Sequence, residues 1–431
     1  MSMDLWPALL EVRRPDAGWH CWTGERFEWT TWQETIRSAS CLATDLRAAG
    51  VRNGTPVGAV LTNTPLTVRG LLAIWIAGGT VASLPVPARG MGLEEYREQL
   101  RGLSLTLGAQ LLMMDAQLEP HFAGALGDGV EVRAWESLRE RAPMRPDPPA
   151  IDDVAFIQYS SGSTSMPKGC MLTPRAIAAQ LEIIATSTGS TPGEEVVVSW
   201  LPLSHDMGMF GCLLFPLAFD FDLALSTPER FTRAPRTWFG DFATFRGTMG
   251  AGTNTALAAA TRMSSGDSLG SLESVRVIVI GAERIDWGTL QAAIEKFRPY
   301  DLKPAALMPA YGLAEATLIV TTNGVLQDAS TVAVDTAALA DGDVVMADPS
   351  APTATTILAV GRPAEGVVVT LTRDGRLAEI EVTSPSLSAG YFGDHERTAQ
   401  RFGNGVLRTG DLGFMRDGQL YVVGRMDDMI S

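Results

Sequence analysis

YSSGSTSMPKG, Tyr159–Gly169, places seven Ser, Thr or Gly residues around one proline and one lysine. Three readings compete: a flexible linker, a phosphate-binding loop, or part of a longer signature. A linker has polar flanks. This stretch instead follows the apolar run VAFIQY and precedes TPRAIAAQLEIIATS. The latter reads as a helix with Thr173 as N-cap and Pro174 at its first position. A Gly/Ser/Thr loop between strand and helix suits a phosphate. Small residues let backbone N–H groups approach, hydroxyls add donors, and the helix N-terminus adds partial positive charge. The P-loop pattern G-x-x-x-x-G-K-[ST] fails, because Lys168 follows Pro167 and precedes Gly169.

Working outward, residues 30–145 alternate two periods. TWQETIRSASCLATDLRAAG reads as an amphipathic helix closed by a glycine, and PVGAVLT as a strand. TPLTVRGLLAIWIAGG and EEYREQLRGLSLTLG repeat the helix pattern; VASLPVP and AQLLMMD repeat the strand. Such alternation predicts a parallel α/β sheet. The proline-rich APMRPDPPAIDD, 142–153, marks a boundary. Beyond it, SVRVIVIGAE and ALMPAYG read as apolar strands that end in glycine-containing turns. From about residue 355, short strands with turns, as in DGQLYVVGR, predict a small antiparallel or barrel-like unit.

Composition sets the outer limits. The 431 residues are 46% hydrophobic and 19% charged, an ordinary globular balance. The formal net charge is −15 with no cluster of Lys or Arg, which argues against nucleic acid as a partner. The acidity itself is a solvated surface or a field that steers a cationic partner. Cys21, Cys41, Cys170 and Cys212 are scattered without CxxC spacing. Neither a zinc site nor a disulfide framework is indicated, and a reducing cytoplasm is expected. The N-terminus lacks the apolar run of a signal peptide. GLLAIWIAGGTVASLPVP is broken by glycines and prolines, which favours a buried helix and strand over an integral membrane segment.

The opening loop is similar to the signature loop of the adenylate-forming enzymes: acyl-CoA synthetases, peptide-synthetase adenylation domains and luciferases. Further segments resemble the same family in the same order. They are WLPLSHDMGMFG (200–211), IGAERI (280–285), MPAYGLAEATL (308–318), GRP at Gly361, LRTGDLGF (407–414) and GRMDDMI (424–430). Ser165, standing where the family usually has glycine, resembles the fatty acyl-AMP ligase branch. So do WLPLSHDMG and YGLAEATL. The long interval between Glu315 and Gly361, with STVAVDTAALADGDVVMAD inside it, resembles that branch's insertion.

The resemblance implies attack of a carboxylate on the α-phosphorus of ATP, giving acyl-AMP and pyrophosphate. This chemistry depends on positioning and charge neutralisation. Ser160, Ser161, Gly162, Ser163, Thr164 and Lys168 would wrap the phosphates, Thr164 through its hydroxyl. Lys168 could equally be a solvated lysine tying the loop to an acid. Glu315, with Thr164, would hold Mg²⁺, since a hard cation takes carboxylate oxygen and keeps several waters. By sequence alone Glu315 also reads as an early-helix acid. Gly281, Ala282 and Glu283 would border the adenine, as would Ala310, Tyr311, Gly312, Leu313 and Ala314. Tyr311 would stack on the base or simply pack in the core. Asp411 would take both ribose hydroxyls or serve as a turn aspartate, and Arg425 would approach the ribose or phosphate. His205 is structural or contacts the incoming carboxylate. Trp200, Met209, Gly250 and Asn254 border the acyl pocket or belong to the core.

The expected fold is α/β: two sheet-and-helix subdomains at 1–145 and 146–325, then a smaller distorted β-barrel subdomain at 326–425. Residues 426–431 begin a hinge at Asp427. In the family a mobile C-terminal domain with a catalytic lysine follows that hinge; this chain is expected to lack it and to bind ligand better than it turns over. A monomer is expected, with the acyl group passing to an acyl carrier protein's phosphopantetheine thiol. CoA synthetases, amide-forming ligases and a catalytically silent binding homologue are the alternatives.

Overall fold

The computed structural model describes residues 3–87, 90–127, 129–160, 167–264, 269–371 and 376–426. Two large sheets carry the fold. The six-stranded sheet runs in the order Glu131–Ala134, Leu111–Met114, Pro56–Val60, Thr80–Leu84, Phe156–Ser160 and Lys168–Leu172. Its first five strands are parallel and the last is antiparallel. Thr80–Leu84 is buried at every position, as a parallel strand covered on both faces must be.

The helices that cover it start where their caps dictate. Thr31 and Glu34 form a reciprocal capping box ahead of Trp32–Ala48. Thr64 accepts from the Thr67 N–H ahead of Pro65–Ile76, and Pro65 needs no donor partner at that position. Pro65–Ile76 is buried from Gly70 to Ile76, which explains its unbroken apolar run. Among the described residues no helix is long and apolar enough to cross a membrane.

The nine-stranded sheet runs Arg362–Pro363, Ile319–Thr322, Leu307–Gly312, Val277–Ile280, Met249–Gly252, Val196–Ser199, Asp222–Leu225, Gly18–Trp22 and Phe27–Thr31. Sheet membership therefore crosses the expected boundary near 145 in both directions. The N-terminal hairpin Gly18–Thr31 joins the later sheet through parallel pairing of Trp19 with Leu223. Phe156–Leu172 completes the earlier one. One hydrophobic core runs between the two sheets.

Antiparallel pairing governs the last third, as the short strands predict. Val368–Leu371, Ala378–Thr383, Val406–Arg416 and Phe402–Gly403 form a sheet, with Gln419–Arg425 paired on Val406–Arg416. Inside the stretch that resembles an insertion, Thr331–Asp335 pairs with Ala354–Leu358. Val334, Leu339 and Ile357 pack there with Phe414 and Tyr421 into a small core of their own.

A buried ion cluster ties the first covering helix to its sheet. Asp45, with a side chain 7% exposed, receives Arg133 at 3.0 Å and Arg141 at 2.7 Å. Removing one partner of a buried pair leaves the other charge uncompensated, at a cost of about 3 kcal/mol. Asp45→Ala is expected to lower unfolding stability by about that much in urea titration. Asp147, which meets Arg47 at the surface, is 65% exposed. Asp147→Ala should cost under about 1 kcal/mol, and equal losses would contradict the assignment.

Candidate active site

One cavity of about 620 Å³ opens where the two large sheets meet the antiparallel unit. Pro167 and Lys168 stand at its mouth. Ser161–Met166, and with them Thr164, lie outside the described residues, as does Asp427. The loop's setting differs from the strand-to-helix expectation. Ser160 pairs with Lys168 across an antiparallel hairpin, and the helix Pro174–Thr188 begins only after the second strand. Thr173 accepts from the Ala176 N–H and caps that helix itself. KGCML has too few residues for its alternation to show against the helix pattern that follows, so the second strand was missed.

Glu315 sits on the single turn Ala314–Ala316. Its carboxylate accepts from the Tyr391 hydroxyl at 2.8 Å, and its carbonyl accepts from the Ser388 N–H at 2.8 Å. The Lys168 Nζ lies 5.9 Å from the centre of the Tyr391 ring. Burial and the Glu315 charge both push the Tyr391 hydroxyl up, so it stays a donor. Sequence reasoning overlooked Tyr391. It stands 76 positions from its partner, and no spacing rule joins them.

The strand Leu307–Gly312 delivers Ala310, Tyr311 and Gly312 to the cavity, and Leu313 and Ala314 follow on its wall. A Cβ on Gly312 would meet the Leu318 carbonyl oxygen at 1.8 Å, so only glycine permits this turn. The Tyr311 hydroxyl donates to Asp411 Oδ2 at 2.6 Å, and Arg425 Nε lies 3.5 Å from Oδ1. Burial raises the Asp411 carboxyl, while Tyr311 and Arg425 draw it back. Gly281 and Ala282 line the cavity beside Ala310. Ala282 has φ +64°, a left-handed conformation that costs a non-glycine residue about 1–2 kcal/mol. Glu283 lies apart from this wall. Its carboxylate accepts from the Thr255 N–H and hydroxyl and so holds the start of the helix Asn254–Met263.

At the opposite end the cavity is apolar, walled by Ile184, Val197, Phe215, Met249, Gly250 and Leu318. Gly250 is placed as expected. Trp200, Met209 and Asn254 are not on this wall. Trp200 stacks on Phe231 with ring centres 3.7 Å apart, Met209 is fully buried in the core, and Asn254 accepts from the Asp286 N–H. Aromatic and Met side chains bury large apolar area, and packing claimed both here. Cys212 also lines the cavity, and burial raises its thiol to about 11, which keeps it a poor nucleophile.

His205 lies between the two ends, just before the π-helical stretch Met207–Leu214. Its Nδ1 is 2.7 Å from Asp206 Oδ1. The Asp206 charge raises the imidazole above its ordinary value despite burial, so it stays protonated to higher pH. Cationic Lys168, Arg401 and Arg425 and the carboxylate of Glu315 all reach the cavity wall, whereas the far lobe holds no charge among the residues named. The arrangement can hold a polyanion at one end and an aliphatic or aromatic tail at the other.

Comparison with known proteins follows this geometry. The model of the AMP-binding enzyme family matches residues 12–392. The chain is 28% identical to a 4-hydroxyphenylalkanoate adenylyltransferase of Mycobacterium marinum, over 94% of this chain and 69% of that protein. It is 32% identical to the medium-chain-fatty-acid–[acyl-carrier-protein] ligase JamA of Moorena producens, over 65% of this chain, and spans half the length of that relative. A fatty acyl-adenylate ligase from L. pneumophila, solved with acyl adenylate and pyrophosphate, superposes with a TM-score of 0.88. That likeness is at 26% identity and covers 96% of this chain and 75% of the other. Family model, fold and cavity agree: the chain belongs to the AMP-binding enzyme family.

Proposed function

We propose that the chain activates a carboxylic acid with ATP, forming acyl-AMP and releasing pyrophosphate. The observation that carries this reading is the single cavity that joins an apolar lobe to a charged end, with His205 between them. A carboxylate oxygen attacks the α-phosphorus, the bond from that phosphorus to the bridging oxygen breaks, and pyrophosphate leaves. The imidazolium of His205 attracts the incoming carboxylate and orients it. Lys168, with Ser160–Thr164, neutralises the departing phosphates. Gly281, Ala282 and Tyr311 bound the base, and Asp411 accepts from the ribose hydroxyls with Arg425 beside it. Tyr391 occupies one oxygen of Glu315 and fixes the direction of the other.

The donor set fits Mg²⁺. Glu315 offers one carboxylate at the charged end, and no cluster of three acidic, His or Cys ligands exists among the described residues. A cation held by one carboxylate, phosphate oxygens and water matches that supply. Glu315 and Thr164 would hold the ion, which supplies charge neutralisation to the phosphates when bound.

The acyl group passes on to an acyl carrier protein's phosphopantetheine thiol; the relative JamA is a medium-chain-fatty-acid–[acyl-carrier-protein] ligase. The acid carries an apolar chain, since the far lobe offers its tail no charged partner. A monomer working in a reducing cytoplasm completes the proposal.

Acyl-AMP trapped as hydroxamate reports activation directly. Glu315→Gln is expected to lower it about 100-fold, and an unchanged yield would refute the role of Glu315. Asp411→Ala should weaken AMP binding at least about ten-fold by calorimetry.

His205 provides a pH test. Its folded pKa exceeds the unfolded value of about 6.5. The His205–Asp206 attraction therefore stabilises the fold fully below that pH and is lost as pH rises through the higher folded value. NMR titration should place His205 above an unstructured histidine, and Asp206→Asn should bring it down. An imidazole that titrates in the ordinary range in both proteins would remove the cation from the proposal.

A further inference from the structure

We propose that Glu379 is a positioning residue for nucleotide binding, holding the bulge that turns Asp411 toward Tyr311, which lines the cavity. The inference rests on Asp411 as the ribose acceptor. It begins with a break in strand register. Glu381 stands opposite Arg408, whereas Glu379 stands opposite Leu412. Thr409, Gly410 and Asp411 thus share the space facing Ile380 alone. Surplus residues leave the ladder, bend the strand and re-aim side chains.

A displaced backbone must find its hydrogen bonds elsewhere. Thr409 Oγ1 donates to the Ile380 carbonyl at 2.8 Å and accepts from the Asp411 N–H at 3.0 Å. The Gly410 N–H has only a side chain to turn to, and it donates to Glu379 Oε1 at 3.0 Å. Gly410 has φ +76°, and a Cβ there would lie 2.6 Å from Arg401 Nη1. Arg401 therefore covers the bulge from the cavity side.

Glu379 is itself held. Its Oε2 accepts from Arg408 Nε at 3.1 Å and Nη2 at 2.6 Å. Arg401 Nη1 lies 3.5 Å from Oε1 and donates to the Arg408 carbonyl at 3.2 Å. The carboxylate is 9% exposed and is not part of the cavity wall. Two arginines hold it pointing at the Gly410 N–H. An influence on the ribose hydroxyls passes through the bulge to Asp411, whereas one passing through Arg401, which also lines the cavity, would act on both nucleotides alike.

Calorimetry with AMP and 2′,3′-dideoxy-AMP on the whole chain separates this role from general support of the fold. The wild-type chain should prefer AMP by at least about ten-fold, because only AMP offers hydroxyls to Asp411. Glu379→Ala should weaken AMP about ten-fold and leave dideoxy-AMP within about two-fold, so the preference collapses. Glu379→Gln keeps an acceptor for the Gly410 N–H and should restore part of it. Equal weakening of both nucleotides, or a preserved preference, overturns the inference. A wild-type chain that fails to bind AMP, or does not distinguish the two nucleotides, overturns the ribose reading and this inference with it. Should Glu379→Ala not fold, Arg408→Met, which releases the same carboxylate from the exposed side, must reduce the preference in the same direction.

Discussion

The hydrogen bond from the Tyr311 hydroxyl to Asp411 joins the nine-stranded sheet to the antiparallel unit. Both groups are half-buried, and Arg425 Nε lies 3.5 Å from the other oxygen of Asp411. A phenol without a partner in a dry interior carries a penalty of about 1–3 kcal/mol, and an isolated carboxylate costs more. The bond, with the Leu420 N–H to Gly361 carbonyl and the Ser388 N–H to Glu315 carbonyl, ties the two units together beside the cavity. A second tyrosine, Tyr391, performs the same service for Glu315. Glu315 on the cavity wall and Asp411 behind Tyr311, each oriented by a phenol from another segment, frame the site.

That frame needs backbone irregularity, and the irregularities gather around the cavity. Gly312 makes the turn that lets Leu313 bond back to Leu318, and Ala282 holds a left-handed conformation beside it. The π-helical stretch after Asp206 and the bulge at Thr409–Asp411 complete the set. Strained or bulged segments persist only where surrounding contacts over-determine them. Here caps, ladders and buried ion pairs supply those contacts. Sheet strands that are buried throughout stay regular, while these four departures lie beside the cavity.

Much of this was legible early. Alternating periods in residues 30–145 gave helices and strands that the structure reproduces, including Trp32–Ala48, Pro65–Ile76 and Thr80–Leu84. Burial of one face leaves a periodic trace that local sequence records. The ordered motifs also pointed to the cavity through Tyr311, Glu315 and His205. Other residues went astray for identifiable reasons. Trp200 and Met209 stand within a motif, yet their large apolar surfaces fill the core. Glu283 belongs to the GAE turn, but the helix start at Thr255 takes its carboxylate. Tyr391 and Glu379 left no sign, because each matters through a partner distant in sequence.

What the sequence determined by itself is local: the period of each element, its caps and breakers, and the types of residue available for phosphate, ribose and acyl chemistry. These follow from interactions across a few positions. Only the tertiary structure decided that the first hairpin closes the later sheet, that Ser160 pairs with Lys168 across antiparallel strands, and which acids meet which tyrosines. Pairing between distant strands leaves no period in either strand, because the edge of one sheet presents the same backbone groups to any partner. Burial of the whole core, with its backbone groups paired in the ladders, selects the pairing that brings these residues around one cavity.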